Sequence, residues 1–176
     1  DMGTALVFIA IFIGILFVAK ATVKIFAILF GLAGGMIPIL WLVLEDGQKN
    51  RLFSFFNSDY ASSDDLYQST QAKLAIGSGQ LTGKGMFSSD NLSQLGYLPE
   101  QQNDFIFSAT TESFGFIGAT VLIILYALLI IRIIMLAMRA KDDFGTYICI
   151  GTAAMILFHV FENIGMNIGI MPITGI

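Results

Sequence analysis

Two carboxylates, Glu100 and Asp104, stand where a long polar segment gives way to an apolar run, in the stretch 99–107 (PEQQNDFIF). A carboxylate is costly beside hydrocarbon, so one kept at such a boundary is a candidate functional group. A third acid, Glu112, follows eight residues after Asp104. On one helix eight residues rise about 12 Å and turn about 80° off-face. That is too far for the carboxylates of a retaining glycosidase, which sit about 5 Å apart. Glu112 is therefore read as a structural, hydrogen-bonding group inside a bundle. Glu100 could be a second acid or a metal ligand, against plain surface solvation. For Asp104 the plain alternative is a helix N-cap, since an Asp ahead of an apolar helix satisfies free N–H groups.

Other polar groups are sparse. His159, the only histidine, lies three residues before Glu162, so the two share a helix face. A proton relay is conceivable there; a buried hydrogen-bonded pair is the favoured reading. The segment 77–85 (GSGQLTGKG) puts four glycines in nine positions, which implies backbone that turns tightly or approaches a ligand closely. Its spacing is not that of a Walker loop. With Lys84 it could hold a phosphate through backbone N–H groups, or be a flexible turn. Arg51, Lys73 and Lys84 each read alone as ordinary surface bases; only the resemblance drawn below makes them, with Gln71 and Glu100, candidate contacts for a pyrophosphate or sugar. The lone Cys149 has no metal-ligand spacing around it and reads as a packing residue.

The elements that must position these groups are membrane helices. The 176-residue chain is 56% hydrophobic and 12% charged, where soluble domains run to roughly a quarter charged. Its mean hydropathy is +0.79. A net charge of -4 gives no basic footprint for nucleic acid. A span needs about 20 mainly apolar residues, and four segments meet or approach that: 5–19, 25–44, about 115–138 and about 147–161, the last extending toward Gly165. Gly34, Gly35 and Pro38 suggest close packing and a kink in the second. The fold class expected is all-α, a polytopic bundle of about four spans, with residues 1–176 part of one membrane domain.

Charge orients the spans. Lys20 and Lys24 lie between the first two, and Arg132, Arg139 and Lys141 in or near the connection between the last two. Both connections read as cytoplasmic. Residues 45–103 then form a large extracytoplasmic loop, on the same side as Asp1 and the tail 171–176. Within it, 66–76 can form an amphipathic helix lying along the membrane surface. The chain reads as an internal piece of a longer protein.

Taken together, these motifs resemble the SEDS family (shape, elongation, division and sporulation). The matching pieces are Asp1 to Thr4 (DMGT); Arg51 with Phe55 and Asn57; Gln71 to Gly79 (QAKLAIGSG); Gly83 to Gly85 (GKG); Leu98 to Glu100 followed by Asp104 to Phe107 (DFIF); Glu112; Asn163 to Gly169 (NIGMNIG); and Met171 to Ile176 (MPITGI). Their shared order carries the match, and the GKG element points to the branch that serves cell elongation. The chain departs from the pattern at Ser58, Ala72, Gln80 and Ser113; at Gln80 the family has a second Gly.

The resemblance implies a peptidoglycan glycosyltransferase of the bacterial cytoplasmic membrane, multi-pass, that polymerises lipid II at the outer face during elongation. It implies Asp104 as general base and a class B penicillin-binding protein as partner. Mg²⁺ or Mn²⁺ could assist the leaving group, though no residues form a recognisable cage. Two rival readings are a lipid II flippase, which predicts polar residues continuing through the spans, and a noncatalytic scaffold for the penicillin-binding protein, which predicts that loss of Asp104 leaves polymerisation intact.

Overall fold

A computed structural model describes residues 2–44, 49, 53, 62–93, 95–97, 103–171 and 173. Five helices order the described chain: α1 (Met2–Val18), α2 (Val23–Val43), α3 (Ser63–Ser78), α4 (Ile106–Ala137) and α5 (Asp143–Asn167). All regular structure among the described residues is helical. α4 and α5 are long and apolar enough to cross a membrane. Only 11% of the apolar window of each is buried inside the chain, which is unlike the core helix of a soluble domain. Over Gly3–Val18 and Val23–Pro38, α1 and α2 are shorter apolar helices. The 17 residues of α1 reach about 25 Å, short of a hydrocarbon core of about 30 Å.

Small residues bring α1 against α5. A Cβ on Gly14 would lie 3.0 Å from the Cβ of Ala154, and one on Gly151 would lie 3.3 Å from Ile15. Such small-residue seams are how helices approach in lipid, where burial drives little. The Gly14–Ala154 and Ile15–Gly151 contacts set the end of α1 beside the start of α5. The two basic connections therefore share one end of the bundle, as the charge pattern requires. The close packing expected at Gly34 and Gly35 is not found among the described residues. A Cβ at either would meet nothing within 4 Å, because α2 stands apart: of its described side chains only Phe26 and Leu29 are even half-buried.

Helix starts lie earlier than the apolar pattern alone indicates. Ser62 caps α3, its side chain accepting from Asp65 N at 3.1 Å, with Asp64 and Asp65 in the first turn. Asp142 caps α5 by accepting from Gly145 N at 2.8 Å. The polar turn before Gly115 is helical as well, since Thr110 and Thr111 return their hydroxyls to Ile106 O and Phe107 O, each at 2.8 Å.

Candidate active site at the polar end of the bundle

The site is built around a break in α4. Gly115 sits at φ 68, ψ −169, a conformation essentially confined to glycine. The break frees helical N–H and C=O groups, which cannot be left unpaired at membrane depth. The glycine-rich segment takes them up. Gln80 O accepts from Phe116 N at 2.8 Å and Leu81 O from Ile117 N at 3.1 Å. In the other direction Lys84 N donates to Glu112 O and Gly85 N to Ser113 O, both at 3.0 Å. Backbone lies against backbone: a Cβ on Gly83 would sit 2.2 Å from Ser113 O, and one on Gly115 would sit 2.4 Å from Gly83 N. The glycines thus allow close approach to a helix, and the reading of 77–85 as a phosphate loop or flexible turn is corrected. The N–H groups of Gly83, Lys84 and Gly85 are spent on Gly79 O, Glu112 O and Ser113 O.

Glu112 fastens the same joint. Its side chain is fully buried. Oε1 accepts from Leu92 N at 2.7 Å, Lys84 Nζ at 3.2 Å and Ser78 Oγ at 3.3 Å, while Oε2 accepts from Ser93 N at 3.1 Å. A buried charge is tolerable only when paired and hydrogen-bonded, and here two successive backbone amides and an ammonium meet both conditions. The ammonium of Lys84, whose side chain is 28% exposed, is shared between Glu112 and Asp90 O at 3.1 Å.

Asp104 lies at the same end, just ahead of α4. The cap position is Phe105, which supplies no side-chain hydrogen bond. Phe105 is instead fully buried and packs with Ala72 of α3. The capping acceptor comes from α5: Asn167 Oδ1 accepts from Ser108 N at 2.9 Å and from the Ser108 hydroxyl. Asn163 Nδ2 and Asn167 Nδ2 each donate to Asp104 O at 3.0 Å. Beneath this clamp α4 and α5 line a half-open cavity of about 510 Å³, mostly apolar, whose lining includes Asn103, Ile106, Tyr126, His159 and Asn163.

The remaining candidates divide. Lys73 is exposed on α3, its tip over the turn that ends α5; a Cβ on Gly169 (φ +76) would lie 2.3 Å from its Nζ. Gln71 is half-buried on the same helix. His159 lines the cavity, whereas Glu162 is 2% exposed and outside its lining. No hydrogen bond between His159 and Glu162 is found among the described residues; three positions apart on a helix, one faces the cavity and the other the packed interior. Arg51, Glu100 and the rest of 98–102 lie outside the described residues, as do Asp1 and most of the tail. Among the described residues no group of three or more His, Cys, Asp or Glu could hold a metal ion. Reasoning from the residues missed Asn163 and Asn167. The available signal was two carboxamides four apart at the end of an apolar helix, polar groups of the sort that mark function in a span.

Comparison with known proteins fits this arrangement. Over 177 aligned residues the chain is 36% identical to the peptidoglycan glycosyltransferase MrdB of Escherichia coli K12, all of this chain against 48% of that protein. It is also 36% identical to the stage V sporulation protein E of Bacillus subtilis, covering 47% of it, and to a probable peptidoglycan glycosyltransferase FtsW of Neisseria gonorrhoeae, covering 38%. The chain spans about half the length, or less, of these curated relatives. Among solved structures it is similar to a chain of a peptidoglycan synthase complex described as coordinating polymerization and crosslinking, with a TM-score of 0.72 and 25% identity over all of this chain and 48% of that one. The family model for the FtsW/RodA/SpoVE cell cycle proteins matches residues 1–176, and the chain belongs to that family.

Proposed function

We propose that the full-length protein is a peptidoglycan glycosyltransferase that polymerises lipid II at the outer face of the bacterial cytoplasmic membrane during cell elongation. In this reading it works beside a class B penicillin-binding protein that crosslinks the product. The glycosyltransferase names of the relatives and the polymerising, crosslinking complex support the reaction and the partnership. The observation that carries the site is the position of Asp104. It lies at the end of the bundle opposite the basic connections, beside the cavity between α4 and α5. A positive-inside orientation makes that end extracytoplasmic.

The family resemblance supplies the chemistry, and this placement suits it. The acceptor sugar's 4-hydroxyl attacks the anomeric carbon of the donor, and the bond from that carbon to undecaprenyl pyrophosphate breaks. Asp104 takes the hydroxyl proton as general base. The pyrophosphate leaves with its electron pair and needs positive charge nearby. Lys73, exposed at this end, suits that contact better than Lys84, whose ammonium is held by Glu112. The apolar cavity suits the first isoprene units of the lipid, and Gln71 lies on the Lys73 helix, where it could meet sugar.

The test is polymerisation of purified lipid II by the full-length protein with its partner. Asp104→Asn should fold, bind the partner and make no glycan. Glycan at the wild-type rate from that variant would remove the base assignment and favour the scaffold reading.

A further inference from the structure

We infer that Asn163 and Asn167 are positioning residues that aim Asp104 by gripping its backbone from the neighbouring helix. The inference rests on the reading of Asp104 as the base. A helix start leaves free N–H groups that a cap residue normally satisfies. Here the cap position is filled by Phe105, whose ring is committed to the core against Ala72. Asn167, itself fully buried, reaches in from α5. Its oxygen accepts from Ser108 N, the third residue of α4, and its nitrogen donates to Asp104 O. Asn163, one turn earlier, adds a second donor to the same carbonyl, and its own backbone carbonyl accepts from Asn167 Nδ2 at 2.8 Å.

Two donors on one carbonyl restrain the 104–105 peptide and so place the Asp104 Cα, from which the side chain leaves, against α5. An acid acting on a hydroxyl depends steeply on such alignment; a misplacement near 1 Å costs about 100-fold. Because the grip comes from α5, the base is registered to the helix that forms the other wall of the cavity. A shift of α5 along α4 would therefore move base and lipid wall together.

The experiment uses the full-length protein with its transpeptidase partner, purified lipid II, and the variants Asn163→Ala, Asn167→Ser and Asp104→Asn. Asn163 is only half-buried, so its loss leaves the fold in place. The expected result is a fall in kcat of about ten-fold or more for Asn163→Ala and Asn167→Ser, with KM within about two-fold of wild type. The Asn163→Ala melting temperature should stay near wild type. A purely structural role would lower the melting temperature while leaving turnover per folded molecule unchanged, and that outcome overturns the inference. So does a rise in KM at constant kcat. Should Asn167→Ser fail to fold, Asn163→Ala alone decides. Wild-type turnover in Asn163→Ala with a dead Asp104→Asn discards the clamp and keeps the base. Wild-type turnover in Asp104→Asn discards both.

Discussion

Glu112 and Asp104 are acids at the same end of α4, yet the fold treats them in opposite ways. At Glu112 the protein holds the carboxylate itself, with two backbone amides, a hydroxyl and an ammonium. At Asp104 the asparagines of α5 hold the backbone carbonyl. A side chain gripped by four donors is a rivet, and its value lies in staying where it is. A residue gripped by its main chain is aimed, and the side chain is the part that acts. Residue type is nearly the same for both; at Glu112 the backbone amides hold the carboxylate, and at Asp104 the asparagines hold the main-chain carbonyl.

That contrast can be broken by measurement. The largest effect should come from Asp104→Asn, with lipid II polymerisation by the full-length complex falling at least about 100-fold at unchanged yield and melting temperature. Glycine changes at the joint come next. Gly83→Ala puts a Cβ 2.2 Å from Ser113 O at a positive φ, and should cost about 3 kcal/mol or more, seen as loss of the monodisperse peak in detergent. Glu112→Gln should destabilise by about 3 kcal/mol, because it leaves Lys84 without its anion and turns an amide toward two backbone donors. Its turnover per folded molecule should stay close to wild type; a stable but inactive Glu112→Gln would erase the distinction drawn above.

Smaller changes sharpen the same comparison. Ser62→Ala should cost about 1 kcal/mol through loss of the α3 cap, read as a modest drop in melting temperature without change in turnover. Gln80 adopts φ 49, in the left-handed region. Relief of that strain outweighs the added chain entropy of glycine, so Gln80→Gly should stabilise by about 0.5 kcal/mol. An unchanged or lower melting temperature would mean that the Gln80 side chain contributes something its backbone does not reveal.

Much of the architecture was legible in the sequence. Apolar runs located α1, α2, α4 and α5, and the amphipathic 66–76 stretch located α3. What escaped was set by partners distant in the chain. The run 108–113 (SATTES) is too polar to read as part of a span, and it is helical because its threonines bond back along the helix and Glu112 reaches residues about twenty positions away. The glycines of 77–85 read as a tight turn or an approach to a ligand, and they approach the chain's own helix instead, since that surface exists only once Gly115 has broken α4. His159 and Glu162 share a face by count, but the cavity takes one and the packed interior the other. Asp104 stood out by type and boundary; the hands that hold it, Asn163 and Asn167, are nearly sixty residues further on.

The seam at Gly115 also has an order in time. The residues that mend the broken helix, 79–85, are synthesised before the residues that need mending, 112–117. Chain order thus lets the patch precede the gap, so that the broken turn of α4 can find its partners in residues already made.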